Sequence, residues 1–192
     1  MANETGSIDL NKHNTYADFK KWNLPEGERY ELINGDVYLK PAPEAYHQSI
    51  INKLYKQMSE FLNEKSVKVF SAPFTVRLFF KEDESDDTVV LPDITIICDP
   101  ANCAPEGFRG APDFIAEILS ASVSAIELDE KIQSYQNAGV REYWLLDPIH
   151  KSLTIHNFWE DIIFPKYYKS TESAKVGLFE DLIIPLGSLF SE

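Results

Sequence analysis

Residues 114–119 (Phe-Ile-Ala-Glu-Ile-Leu) form a strand-length run in which almost every side chain is apolar. Side chains alternate between the two faces of a β-strand, so one face would be wholly apolar and the other would carry Ile115, Glu117 and Leu119. A strand that is apolar on both faces is typical of a sheet that other elements cover on each side. This segment therefore predicts a layered fold with a central, doubly covered sheet.

Patterns along the rest of the chain supply the other elements of such a fold. Helical spacing of apolar residues predicts helices over residues 15–24, 44–65 and 122–137. Strand-like runs between turn residues predict strands over residues 29–33, 36–39, 67–71, 75–80, 89–97, 114–119, 142–146, 153–158, 162–168 and 175–179. The order of these elements predicts an α/β fold with a mixed central β-sheet flanked by helices.

Length and cysteine content indicate the general class of the protein. A chain of 192 residues can bury the core of one domain, so we expect a flexible N-terminal arm over residues 1–13 and a single domain over residues 14–192. Two cysteines, Cys98 and Cys103, are too few for a disulfide framework. Because no signal-peptide pattern and no apolar run of roughly twenty residues is found, we expect a cytoplasmic protein without a membrane partner.

The net charge disfavours general nucleic-acid binding. The chain has 18 Lys and Arg against 31 Asp and Glu, a formal charge of −13, and its basic residues are scattered. Proteins that bind nucleic acids usually neutralise phosphates with a basic face. Part of the acidic excess lies in residues 81–87, which we interpret as an exposed turn. A nucleic-acid function would therefore have to rest on one specific site.

Two acids lie where strands should be buried. Glu117 interrupts the apolar run described above, and Asp93 follows Pro92 inside another apolar run. A buried carboxylate needs a positive partner, because an unpaired buried charge costs several kcal/mol. Carboxylates from two neighbouring strands would suit a Mg²⁺ ion, which prefers oxygen ligands. Ion pairing with an Arg or Lys, or a position on a solvated edge strand, is an equally good explanation at this point.

Five segments in a fixed order carry a family resemblance. They are residues 30–35 (YELING), 91–94 (LPDI), 115–120 (IAEILS), 131–135 (KIQSY) and 139–148 (GVREYWLLDP). Together they resemble the Uma-two family of restriction endonucleases, a branch of the PD-(D/E)XK nuclease superfamily. The resemblance extends over most of the chain and implies a restriction-endonuclease-like core.

The resemblance also implies roles for four residues. Asp93 and Glu117 match the acids of the two motifs and would be metal ligands for Mg²⁺ or Mn²⁺. Lys131 matches a catalytic lysine that lies on the following helix, whereas Leu119 occupies the position where the wider superfamily has its lysine. Glu31 matches an acid near the first hairpin, which the predicted strands 29–33 and 36–39 would form. It would support the site by contacting one of the other site residues or a water. The implied catalytic set is therefore Asp93, Glu117, Lys131 and Glu31.

Some residues depart from the family pattern or have simpler explanations. Residues 120–124 (SASVS) lack the proline and the basic residues expected after the second acid, which weakens the case for phosphate contacts. Glu127 and Lys131 are four residues apart, so they could form an ordinary surface ion pair on a helix. Glu31 could pair across the hairpin or face solvent. We interpret His47 as a core or capping residue.

The sequence as a whole predicts a metal-dependent endonuclease that hydrolyses phosphodiester bonds in nucleic acid. DNA is the expected substrate, and a homodimer would supply two active sites for two strands. Two alternatives stay open: a catalytically weak binding or assembly protein with a nuclease fold, and a metal-dependent hydrolase of a small phosphorylated substrate.

Overall fold

The computed structural model describes residues 8–120, 123–160 and 164–191. Its helices are α1 (Tyr16–Phe19), α2 (Ala45–Leu62), α3 (Ala125–Ala138) and α4 (Leu186–Leu189), with a 3₁₀ turn at Pro100–Asn102. Its strands are β1 (Arg29–Ile33), β2 (Asp36–Lys40), β3 (Lys68–Ser71), β4 (Val76–Arg77), β5 (Val89–Val90), β6 (Ile94–Ile97), β7 (Cys103–Ala104), β8 (Gly107–Arg109), β9 (Phe114–Ile118), β10 (Glu142–Asp147), β11 (Ser152–Asn157), β12 (Lys166–Lys169), β13 (Ser173–Lys175) and β14 (Ile183–Pro185). Within the described ranges, no helix is long and apolar enough to cross a membrane.

The strands form two six-stranded sheets and one small hairpin. The first sheet has the order β2-β1-β5-β4-β8-β7, and the second has the order β12-β11-β10-β9-β6-β3. Each sheet contains one parallel pair, β4–β8 in the first and β9–β10 in the second, and its other pairs are antiparallel. The predicted mixed α/β architecture is confirmed, and the strands divide between two mixed sheets.

Strand β9 lies in the interior of the second sheet, and all of its residues are buried. On one face, Phe114 and Ile118 belong to the same apolar cluster as Leu54 of α2. On the other face, Ile115 belongs to a second cluster that includes Tyr135 of α3. The prediction of a strand covered on both faces is therefore confirmed, and α2 and α3 pack on its opposite sides.

The predicted strand over residues 89–97 is two strands that belong to different sheets. Strand β5 pairs in the first sheet and β6 pairs in the second, and residues 91–93 pass between them. Pro92 has no backbone N–H and cannot continue a ladder of hydrogen bonds, which explains the break. The Leu91 N–H instead donates to the Glu31 carboxylate at 2.7 Å, and the Asp93 carbonyl accepts from Ala72 at 3.0 Å. Asp93 is therefore placed where the two sheets meet.

Other boundaries differ from the predicted ones. The predicted helix 15–24 is only the short α1, and the predicted strand 75–80 is only β4. The predicted strand 175–179 begins on the last residue of β13 and otherwise falls in the turn that follows it. The acidic segment 81–87 is not wholly solvated, because Asp86 is fully buried and accepts from the Arg77 guanidinium at 2.8 Å. Residues 1–7, 121–122 and 161–163 lie outside the described residues, as do the parts of the predicted arm, helix and strand that fall on them.

Helix α3 has clear signals at both ends. Ser124 caps its first turn, because its hydroxyl accepts from the Glu127 N–H at 3.1 Å. Gly139 follows the last turn with a φ of +98°, a left-handed conformation that favours glycine. These two residues mark the two ends of the helix, and Lys131 lies between them on the side that faces Glu117 of β9.

Glu142 is a fully buried acid at the start of β10. Its carboxylate accepts from the Trp144 indole at 2.6 Å and from the Leu178 N–H at 3.2 Å, so it joins β10 to the turn after β13. Burial raises the pKa of Glu142 from 4.5 to about 6, although these hydrogen bonds favour the charged form. At neutral pH this residue is therefore a buried charge. Among the described residues no cation contacts it, and the charge of Lys166 favours its ionised form only from a distance.

The raised pKa of Glu142 should make the free energy of unfolding depend on pH. A raised pKa in the folded state means that the folded protein binds the proton more tightly, so its contribution is fully present below pH 4.5 and is lost as the pH rises through 6. The shift corresponds to about 2 kcal/mol. We expect the wild type to lose that much unfolding free energy relative to Glu142→Gln between pH 4 and pH 7.5, measured by denaturant titration. A difference that is constant with pH, or an equal trend in the control Glu60→Gln, would contradict this assignment.

Candidate active site

The four residues singled out in the sequence lie together between the two sheets. Glu31 comes from β1, Asp93 from the crossing between the sheets, Glu117 from β9 and Lys131 from α3. All four are buried, with 8% or less of each residue exposed. Elements that are distant in sequence therefore bring three acids and one lysine into a single buried group.

Lys131 is the centre of this group. Its ammonium lies 2.6 Å from Glu31 Oε2 and 2.7 Å from Glu117 Oε2. Burial opposes its charge, but the carboxylates of Glu117 and Glu31 outweigh burial and raise the pKa of Lys131 well above its ordinary value. The interpretation of Lys131 as a surface partner of Glu127 is therefore wrong, because the lysine is buried and the two carboxylates beside it favour its charged form.

Glu31 is held by two further contacts. Its Oε1 accepts from the Leu91 N–H at 2.7 Å, and its other oxygen is the partner of Lys131. Burial disfavours its ionisation, but the charges of Lys131 and Lys40 outweigh that cost and lower the pKa of Glu31. The solvated interpretation of Glu31 is wrong, because the residue is buried. The cross-strand interpretation is correct in part, because the ammonium of Lys40 on β2 lies 3.8 Å from Glu31 Oε1.

Asp93 has partners from three elements. Its Oδ2 accepts from the Ile118 N–H at 2.9 Å and lies 3.2 Å from His47 Nε2, and its Oδ1 lies 3.4 Å from the Lys40 ammonium. Burial opposes ionisation, but Lys40 and His47 outweigh it and hold the pKa of Asp93 well below the ordinary value. Asp93 is therefore an ionised carboxylate across the physiological range.

Three residues of this site were missed or misinterpreted in the sequence. Lys40 ends β2 and resembles an ordinary charged residue at a strand end. His47 was interpreted as a core or capping residue, yet its ring lies beside Asp93. Tyr135 fits the apolar side of α3, and its hydroxyl also donates to Glu117 Oε1. The available signal for His47 was its place in the first turn of α2, immediately after the Pro-rich segment at residues 41–43.

The site opens into a cleft of about 330 Å³. Its walls are largely apolar and include side chains of Leu39, Pro41 and Ile149. Leu39 and Ile149 are also strongly exposed at 54% and 73%. Among the described residues that line the cleft, the Lys and Arg side chains are those of Arg29, Lys40 and Lys131. The cleft can therefore accommodate a group of small-ligand size. At its bottom, Lys40 and Lys131 lie beside the acids of the site.

Asp93 and Glu117 suit a Mg²⁺ site of the common kind that has one or two carboxylates and completes its shell with water and substrate. Within the described residues, no three His, Cys, Asp or Glu side chains are grouped to hold a metal ion by themselves. The Lys40 ammonium lies 3.4 Å from Asp93 and 3.9 Å from Glu117, so a cation already balances both carboxylates at this position. The donor set fits a partly hydrated ion and not a closed protein cage.

The chain is similar to known proteins in sequence and in fold. Residues 16–163 match the family model Uma2, described as "Putative restriction endonuclease". The crystal structure of a putative nuclease belonging to DUF820 from Anabaena variabilis ATCC 29413 matches 92% of this chain and 97% of its own chain, with a TM-score of 0.75 and 20% identity. The uncharacterized protein slr1290 of Synechocystis sp. is 19% identical over 145 residues, 75% of this chain and 74% of its own. The structural match confirms the restriction-endonuclease-like α/β core.

Removal of the central lysine should destabilise the fold. We expect Lys131→Met to lower the unfolding free energy by about 3 kcal/mol, because Glu31 and Glu117 would lose their closest cation inside the protein. Adding Glu31→Gln should recover part of that loss, since it removes one of the stranded charges. Denaturant unfolding of the single and double variants measures both effects.

The exposed pair of Lys56 and Glu60 supplies the control Lys56→Met, which should change stability by less than about 1 kcal/mol. An equally small loss in Lys131→Met would contradict the central role of this residue.

Proposed function

This chain belongs to the Uma2 family, and we propose that it is an endonuclease that uses Mg²⁺ or Mn²⁺ to hydrolyse phosphodiester bonds in DNA. The observation that carries the proposal is the buried group of Asp93, Glu117 and Lys131, supported by Glu31, at the bottom of an open cleft. Acids and a lysine are unusual in a protein interior, and such groups are concentrated where chemistry requires them.

Asp93 and Glu117 would hold the metal ion. The Ile118 N–H and His47 fix the orientation of the Asp93 carboxylate, and Tyr135 and Lys131 fix that of Glu117. When bound in such a site, a divalent ion polarises the phosphate and lowers the pKa of an attacking water. The surrounding hydrogen bonds would keep both carboxylates in one orientation, which is what a precise ligand geometry requires.

Lys131 would act through its charge. The carboxylates of Glu117 and Glu31 raise its pKa above the ordinary value, which favours the ammonium over the neutral amine that a general base would require. It can donate hydrogen bonds to a water or to a phosphate oxygen, and so stabilise the negative charge that develops on the phosphate. Glu31 is then a positioning residue, since it contacts Lys131 and holds its ammonium beside Glu117.

A second candidate function is the hydrolysis of a small phosphorylated molecule. The cleft is of small-ligand size and is lined largely by apolar side chains, and the chain carries a net charge of −13. A duplex usually needs basic residues along a track to neutralise several phosphates. The same charge also suits a binding or assembly protein that keeps the fold with little activity.

The metal and substrate assignments have one combined test. We expect calorimetric titration to show saturable Mn²⁺ or Mg²⁺ binding by the wild type and none by Asp93→Asn, which keeps the shape but removes the charge. Plasmid nicking should require the metal and disappear in the same variant. The control is Asp129→Asn, because Asp129 lies on the exposed side of α3 and bonds only to a neighbouring Gln133 in the described structure.

The outcomes separate the candidate functions. Metal binding with cleavage of bis-p-nitrophenyl phosphate but no cleavage of plasmid, single-stranded DNA or RNA would favour the small substrate. If the wild type neither binds the metal nor cleaves any substrate, both hydrolase functions are rejected and the binding or assembly function is favoured. If RNA is cleaved faster than DNA, RNA and not DNA would be the assigned substrate.

We propose further that the protein acts as a homodimer, so that two sites cut two strands. Phe164 and Tyr167 are 77% and 59% exposed near β12, which is an edge strand of the second sheet. Exposed aromatic groups beside an edge strand favour association. Light scattering should give a mass near twice the 21.9 kDa of one chain, and Tyr167→Lys should lower it. A monomeric wild type would reject this part of the proposal.

A further inference from the structure

Lys40 occupies an unusual position for a residue at the end of a strand. Its side chain is only 13% exposed, and its ammonium lies 3.4 Å from Asp93, 3.8 Å from Glu31 and 3.9 Å from Glu117. These are the three acids of the candidate active site. One flexible cation therefore lies among all three carboxylates.

The two buried lysines of the site are held differently. Lys131 makes close contacts of 2.6 and 2.7 Å with carboxylates. Lys40 instead donates its close hydrogen bond to the backbone carbonyl of Leu91 at 2.6 Å, and its distances to the carboxylates are all longer than 3.3 Å. Lys131 is therefore held by close contacts with two acids, whereas Lys40 has its close contact with a backbone carbonyl and balances the charge of the acids from a greater distance.

The two lysines already neutralise most of the carboxylate charge at this position. Glu31, Asp93 and Glu117 carry three negative charges, and Lys131 and Lys40 carry two positive ones. A divalent ion bound to Asp93 and Glu117 would lie close to the Lys40 ammonium, and like charges repel strongly at short range in a partly buried site. The ammonium of Lys40 and a divalent ion would therefore bind the same carboxylates one at a time and not together.

We propose that Lys40 is the counter-ion of the metal-free site and competes with the divalent ion for Asp93 and Glu117. The inference rests on the proposed function, because it assumes that these two acids bind a metal. Binding of the ion displaces the ammonium from the carboxylates, so Lys40 lowers the metal affinity of the site and stabilises the protein when no metal is bound. The long, flexible side chain of lysine suits this exchange.

The test compares metal binding in Lys40 variants. Mn²⁺ and Mg²⁺ are titrated by calorimetry into the wild type, Lys40→Met and Lys40→Gln, where the glutamine keeps a donor for the Leu91 carbonyl. We expect both variants to bind Mn²⁺ at least tenfold more tightly than the wild type. We also expect their metal-free melting temperatures to be lower, with the difference shrinking in saturating metal. The matched control is Lys56→Met on the exposed side of α2, which should bind as the wild type does.

Each outcome decides the inference. Wild-type binding with unchanged or weaker binding in both folded Lys40 variants would overturn it and leave the proposed metal-dependent function intact. A similar gain in Lys56→Met would also overturn it, because the effect would then come from net charge alone. Absence of binding in all variants would reject both the inference and the proposed metal site. Binding by the Lys40 variants but not by the wild type would support the competition in its strongest form.

Discussion

The buried ion pairs of Lys131 with Glu31 and Glu117 are the interaction on which the rest of the structure depends. Glu31 belongs to the first sheet, Glu117 belongs to the second, and the lysine comes from α3, so one ammonium joins three elements. Buried charges are costly without partners, so the sheets cannot shift relative to α3 without stranding a carboxylate. The same contact that joins the sheets also concentrates charge at the bottom of the cleft.

The crossing at residues 91–93 explains why a third acid joins this group. Pro92 interrupts the backbone ladder, and the chain leaves one sheet and enters the other. Asp93 follows this break, where the Ile118 N–H, His47 and Lys40 all reach its carboxylate. The group holds three carboxylates and two lysines, so it concentrates charges of both signs at one place in a chain with a net charge of −13.

The position of Lys131 shows how an acid and its cation can come from different layers of the fold. Glu117 lies on β9, and Lys131 reaches it at 2.7 Å from the following helix. Ser124 and Gly139 mark the two ends of that helix. The ion pair therefore depends on the packing of α3 against the sheet and not on neighbouring positions in the sequence.

Several local elements followed from the sequence alone. The alternation in residues 114–119 and the helical spacing of residues 44–65 each report which side of a segment is buried, and the structure has β9 and α2 at these places. The strand-like runs at residues 29–33 and 36–39 are β1 and β2. The acids Asp93 and Glu117 stood out because they interrupt apolar runs. Only the tertiary structure decided that the strands divide between two sheets and that Lys40 and His47 lie beside Asp93. Periodicity records the burial of one element at a time, whereas a lysine at a strand end becomes part of a site only when distant elements pack around it.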